Sequence, residues 1–204
     1  MKLTSIVFKL STRLPLFIVL LLIFITGTSF NGRKNQTRSF PTCTNNLDTL
    51  YKPIKKQENL FYIQLSENHN IIVYDINYNT DKTINMKEPV HTYWIRYSEK
   101  GQMQELTYFQ KHLVYGLEII SSEKDKQTFV LKFVSYKKRK FYLMKPEKDQ
   151  KYLLFTEIHG KIALLNKLFI QVIPRLFGLP GVEYVDLQGK DLSSGKPVME
   201  RVIP

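Results

Sequence analysis

From Leu60 to Val202 apolar residues recur at every second position in short runs separated by turn-forming clusters, and this period predicts a series of β-strands. Leu60–Leu65 and Ile71–Ile76 flank Glu67-Asn68-His69-Asn70, the pattern of a hairpin. Val90–Tyr97 is a strand that ends at the turn Glu99-Lys100-Gly101. Thr128–Tyr136 and Lys140–Met144 are joined through Lys137-Lys138-Arg139, and Tyr152–Ile158 and Ile162–Ile173 pair across His159-Gly160-Lys161. Val182–Leu187 and Val198–Val202 close the series. Leu106–Tyr115 departs from the period, since apolar positions 106, 109 and 113 fit one short helix. Short strands at this spacing predict an all-β fold: a single antiparallel β-sandwich or flattened β-barrel, not a parallel sheet with crossover helices. Phe61, Ile63 and Leu65 face one way while Leu60 and Tyr62 face the other, so such strands require cover on both sides.

The first thirty residues follow a different pattern. Lys2, Lys9 and Arg13 precede an unbroken apolar run from Leu14 to Ile25, and the small residues Gly27-Thr28-Ser29 follow it. Twelve apolar residues match the apolar core of a signal peptide and fall short of the roughly 20 that span a bilayer. Residues 1–29 are therefore expected to be a signal peptide, with an uncleaved N-terminal membrane anchor as the alternative. Both place the rest of the chain outside the cytoplasm, periplasmic or associated with the cell envelope. Residues 30–58 read as a polar linker containing Pro41 and Pro53, and residues 59–204 as the all-β domain. Cys43 is the only cysteine, so no internal disulfide exists. It lies too far past the apolar run to carry a lipoprotein anchor.

The formal net charge of +12 falls to +9 once residues 1–29, with three positive and no negative charges, are removed. Export removes nucleic acid from the partners that such a charge suggests. What remains is an anionic envelope glycan, a lipid or a small ligand, with membrane contact through the N-terminus if the signal stays attached. A lysine-rich surface that only keeps the protein soluble is the plainer account.

Motifs for chemistry are sparse. His69, His91, His112 and His159 show none of the close spacings that converge on a metal, so no metal site is expected. Ser193-Ser194-Gly195-Lys196 and Ser121-Ser122-Glu123-Lys124 share a Ser-x-x-Lys spacing in turn-like segments without the partner motifs of a serine acyltransferase. Gly189 to Gly195-Lys196 has one residue too many for a phosphate loop and Pro197 where a hydroxyl is needed, so no cofactor is implied. The basic run Lys137–Lys140 reads as a solvated turn.

In the strand Val90–Tyr97, Val90, Thr92, Trp94 and Arg96 share one face and His91, Tyr93, Ile95 and Tyr97 the other. If Trp94 is in the core, Arg96 sits one pleat away and requires a carboxylate; Asp75, Glu105 and Glu118 are the candidates. Either Arg96 lines a pocket for an anionic ligand, or it neutralises an acid at the mouth of the sandwich or barrel. Trp94, Arg96, Tyr74 and Asp75 are accordingly the candidate ligand-binding residues.

Leu60-Phe61-Tyr62-Ile63-Gln64, Asn70-Ile71-Ile72-Val73-Tyr74, Pro89-Val90, Tyr93-Trp94-Ile95-Arg96-Tyr97, Gly101, Tyr115-Gly116, Gly195-Lys196 and Glu200-Arg201 together resemble an uncharacterised family of exported bacterial proteins. The resemblance spans about residues 59–204, departs from the family at Val114, and implies an exported domain without implying a reaction. The expectation is a non-enzymatic binding or structural module of the envelope, the binding form taking an anionic or amphipathic ligand. The alternative is an envelope hydrolase whose Glu and His residues converge only in space, with Glu105, His112 and Tyr115 as the candidate catalytic residues.

Overall fold

The computed structural model describes residues 59–123, 127–147, 149, 151–174 and 180–204. The leader, the polar linker and Cys43 lie outside the described residues. Among the described residues eleven strands follow in order: β1 (Asn59–Leu65), β2 (Ile71–Ile76), β3 (Val90–Arg96), β4 (Gln102–Glu105), β5 (Leu117–Glu123), β6 (Thr128–Phe133), β7 (Phe141–Met144), β8 (Leu153–Ile158), β9 (Lys161–Pro174), β10 (Pro180–Asp191) and β11 (Pro197–Val202). The protein is all-β, a curled mixed sheet closed into a half-barrel.

β9 organises the sheet. Along one edge it pairs antiparallel with β10, which carries β11 beyond it. Its other edge is shared: residues 161–164 pair with β8 and residues 167–170 with β1. Two wings therefore leave one edge of the same strand, β1-β2-β3-β4 and β8-β7-β6-β5. Opposite the hand-over, the β9–β10 pairing shifts register between Gln188 and Gly189, where β9 carries the extra residue Asn166. A Cβ on Gly189 would lie 2.4 Å from the Leu164 carbonyl oxygen, so only glycine permits this close approach of the two strands. A bulge at that point increases local twist and lets the wings diverge.

The wings face each other across the main core. Phe61 stacks on Tyr74 at 4.2 Å, and Phe133 from the other wing meets both rings edge-on at 6.3 and 5.8 Å. Phe133 also contacts Phe141 at 5.2 Å, so one side chain joins three strands of both wings. β2 is buried at every position, as the two-sided strand pattern requires. Ile72, Tyr74 and Ile76 enter the main core, while Ile71 and Val73 join Tyr93 in a smaller cluster on the second face.

The predicted hairpins form. β1 pairs with β2, β6 with β7 and β8 with β9, all antiparallel. His159 and Gly160 turn the last of these with φ of 50° and 73°, the left-handed pair that matches strand twist. Three expectations change. β1 lies parallel to β9, because seven strands separate them and their connection is a crossover, not a hairpin. Edge strands β4 and β5 occupy stretches in which no strand was expected. The short helix expected in Leu106–Tyr115 forms, but over Gln110–Tyr115 it is a π-helical turn (the π-turn), a wider and rarer form than the apolar spacing suggests.

Candidate functional site

A cleft of about 190 Å³ opens between the wings. Lys87, Glu88, Pro89 and Val90 line it from the first wing, and Leu117, Glu118, Ile119 and Leu131 from the second. Local chemistry fixes the first wall. Asn85 Oδ1 accepts the amides of Lys87 and Glu88 at 3.0 and 3.1 Å, and Asn77 Nδ2 donates to the Glu88 carbonyl at 2.8 Å. Such side-chain-to-backbone bonds hold a turn without a strand ladder. The Asn77 amide donates to the Pro89 carbonyl at 2.9 Å, which sets Val90 at the start of β3.

The second wall follows from the π-turn. Val114 and Tyr115 are buried, the Ser135 hydroxyl donates to the Val114 carbonyl at 2.7 Å, and the Val134 amide donates to the Gly116 carbonyl at 3.0 Å. Leu117 and Ile119, packed against the main core, line the cleft with Val90 and Leu131 and form its apolar floor. Two ion pairs rim it. Lys111 on the π-turn pairs with Glu88, and Lys137 pairs with Glu118 at 3.1 Å. Lys87 adds a third exposed cation. This volume is below the roughly 300 Å³ at which pockets begin to enclose a drug-sized molecule.

The sequence candidates occupy other places. Trp94 and Tyr74 are in the core with Tyr115: Trp94 meets the Tyr115 ring at 5.6 Å, and the Tyr74 hydroxyl donates to the Tyr115 carbonyl at 2.7 Å. Burial raises both phenols well above the ordinary tyrosine range, which leaves them neutral hydrogen-bonding groups. Arg96 pairs with Glu99 at 2.8 Å; of its three expected partners, Asp75 accepts the Tyr93 hydroxyl at 2.7 Å, Glu105 meets His91 at 2.9 Å and Glu118 meets Lys137. The 3₁₀ turn Tyr97–Glu99 brings Glu99 back onto Arg96, a local contact that strand alternation does not foresee.

Glu105, His112 and Tyr115 are not brought together. Glu105 faces His91, Tyr115 is in the core, and exposed His112 stacks on Tyr108 at 4.1 Å with Nδ1 2.9 Å from the Tyr108 carbonyl oxygen. Ser193 and Ser194 donate their hydroxyls to Asp191 at 2.6 and 2.8 Å, closing a turn. In the basic run, Arg139 pairs with Glu200 at 2.6 Å. No group of three His, Cys, Asp or Glu side chains able to hold a metal ion occurs among the described residues.

Sequence reasoning named Pro89, Val90 and Glu118 without assigning them to a cleft, and it missed the other lining residues. Glu88 and Lys111 are twenty-three positions apart, in a loop and a π-turn, so no spacing announces their pairing. The one local signal was Asn85 before Pro89, a turn-forming pair immediately ahead of the aromatic strand.

A family model described as a domain of unknown function, DUF4833, matches residues 61–201. The chain belongs to the DUF4833 family. No curated protein and no solved structure matches it. In this DUF4833 protein the residues that carried the family resemblance have identifiable physical tasks. Glu200 pairs with Arg139, and Arg201 forms a two-pronged pair with Asp186 at 2.7 and 2.8 Å while lying over the Tyr184 ring. Gly195 turns with φ of 67°, and Gly116 ends the π-turn where a Cβ would collide with the Lys111 carbonyl.

Proposed function

We propose that this DUF4833 protein is an exported, non-enzymatic binding module of the cell envelope that takes one end of an anionic or amphipathic ligand in the cleft between its wings. The apolar floor beneath a lysine-bearing rim carries this reading. Val90, Leu117, Ile119 and Leu131 would accept a short hydrocarbon segment, and Lys87, Lys111 and Lys137 would face an anionic head. The leader sequence supports the export component, which N-terminal sequencing of protein recovered from envelope fractions would test.

Calorimetric titration with octanoate and octyl phosphate tests the cleft. Saturable one-to-one binding is expected, with at least a tenfold loss in Ile119→Trp, which fills the cleft, and weaker binding in Lys137→Glu. Failure to bind either amphiphile, or undiminished binding by Ile119→Trp, would overturn the reading. The hydrolase alternative retains one observation, the contact between Glu105 and His91 across β3 and β4. It predicts turnover of envelope ester or glycoside substrates that His91→Ala abolishes; turnover unaffected by that change removes it.

A further inference from the structure

We propose that the π-turn beside the cleft is a membrane-docking tip, which seats Tyr108, Phe109 and Leu113 in the interface of an anionic bilayer. The proposal deepens the cleft reading by naming the ligand's source: a lipid whose remaining bulk stays in the membrane. Tyr108 is 71%, Phe109 58% and Leu113 39% exposed. Phe109 and Leu113 stand four positions apart, as do Tyr108 and His112, whose rings stack, so the group shares one side of the turn. Tyr108 and Phe109 meet edge-on at 6.0 Å.

This exposure is held rigidly. The next two residues, Val114 and Tyr115, are only 6% exposed and are tied to Ser135, Tyr74 and Trp94. The turn therefore cannot fold its aromatics back into the core without releasing those anchors. A tyrosine and a phenylalanine beside a histidine suit the boundary between hydrocarbon and headgroups, where one end of the ring system is apolar and the other wet.

Charge selects an anionic surface. The chain carries +12 with residues 1–29 and +9 without them, and residues 30–58, which join the described structure at Asn59, hold six basic and two acidic residues. Insertion of a few side chains gives marginal binding by itself, and a basic segment supplies the second signal that stable attachment needs. Geometry supplies the link to the cleft. Lys111 extends from the same turn to Glu88 in the cleft wall, so a bilayer touching the tip also meets the mouth.

The test places a fluorophore at the tip of the full-length protein, whose single native tryptophan, Trp94, is 2% exposed. In Phe109→Trp, vesicles of phosphatidylcholine with one-quarter phosphatidylglycerol should shift the emission to the blue, and brominated acyl chains should quench it several-fold. Pure phosphatidylcholine vesicles should do much less. Leu192→Trp, on a turn that is also exposed, should respond to neither. Water-like emission of Phe109→Trp with both vesicles, equal quenching of Leu192→Trp, or a blue shift produced by protein concentration without lipid would each overturn the proposal. Octanoate titration of Tyr108→Ser/Phe109→Ser separates the two readings. Retained octanoate binding with lost quenching is expected; quenching in Phe109→Trp without octanoate binding by the native protein would sink the cleft alone.

Discussion

Gly116 shows how a single position can decide a local form. A Cβ there would lie 1.9 Å from the Lys111 carbonyl oxygen, a backbone atom that cannot swing aside. Gly116→Ala should therefore cost about 3 kcal/mol, the upper end of overpacking, with the loss read from the denaturant midpoint. Because the π-turn carries Lys111 and leads into Leu117, the same variant should weaken octanoate binding. Tyr115-Gly116 was visible in the sequence as part of a family pattern, but its reason was not. The contact arises from a five-residue closure that no apolar period reports. Arg96 teaches the same lesson. Alternation correctly placed it one pleat from Trp94, yet its carboxylate came from Glu99, three residues on, through a turn instead of across the sheet.

At the level of elements, the closing strand β11 is held by ion pairs on both faces. Arg201 meets Asp186 on one, and Glu200 meets Arg139 and the His159 amide on the other. Partial burial pushes the Glu200 carboxyl upward, but the Arg139 hydrogen bond, the His159 amide and the Arg139 charge together hold it below its ordinary value of 4.5. A depressed carboxylate stabilises the fold above that value, and the stabilisation is lost as pH falls through the folded-state pKa. Glu200→Gln should thus be less stable by about 1 kcal/mol at neutral pH and lose less on acidification. Denaturation of both proteins at pH 7 and near pH 3 measures the difference; parallel losses would show that Glu200 does not contribute. The strand itself was legible from alternation, and so were the hairpins. Edge strands β4 and β5 were not, because all four β4 residues are exposed and apolar alternation has nothing to report there.

For the whole molecule, Phe133 is the side chain that most directly joins the wings, touching Phe61 and Tyr74 in one and Phe141 in the other. Phe133→Ala should cost about 3–5 kcal/mol, seen as a lowered midpoint of unfolding. Loss confined to one wing, with the other unfolding as before, would contradict a shared core. The wings also create the cleft, whose two walls come from segments about thirty residues apart with no common motif. By itself the sequence determined the strand class, the hairpin pairs, the face that Trp94 and Arg96 share and the basic, apolar leader, since side-chain alternation and turn chemistry act between near neighbours. Tertiary structure alone decided the parallel union of β1 with β9, the hub formed by that strand and the meeting of Glu88 with Lys111. Those depend on which distant strands win one another's edges, a competition among many pairings that local periodicity does not rank.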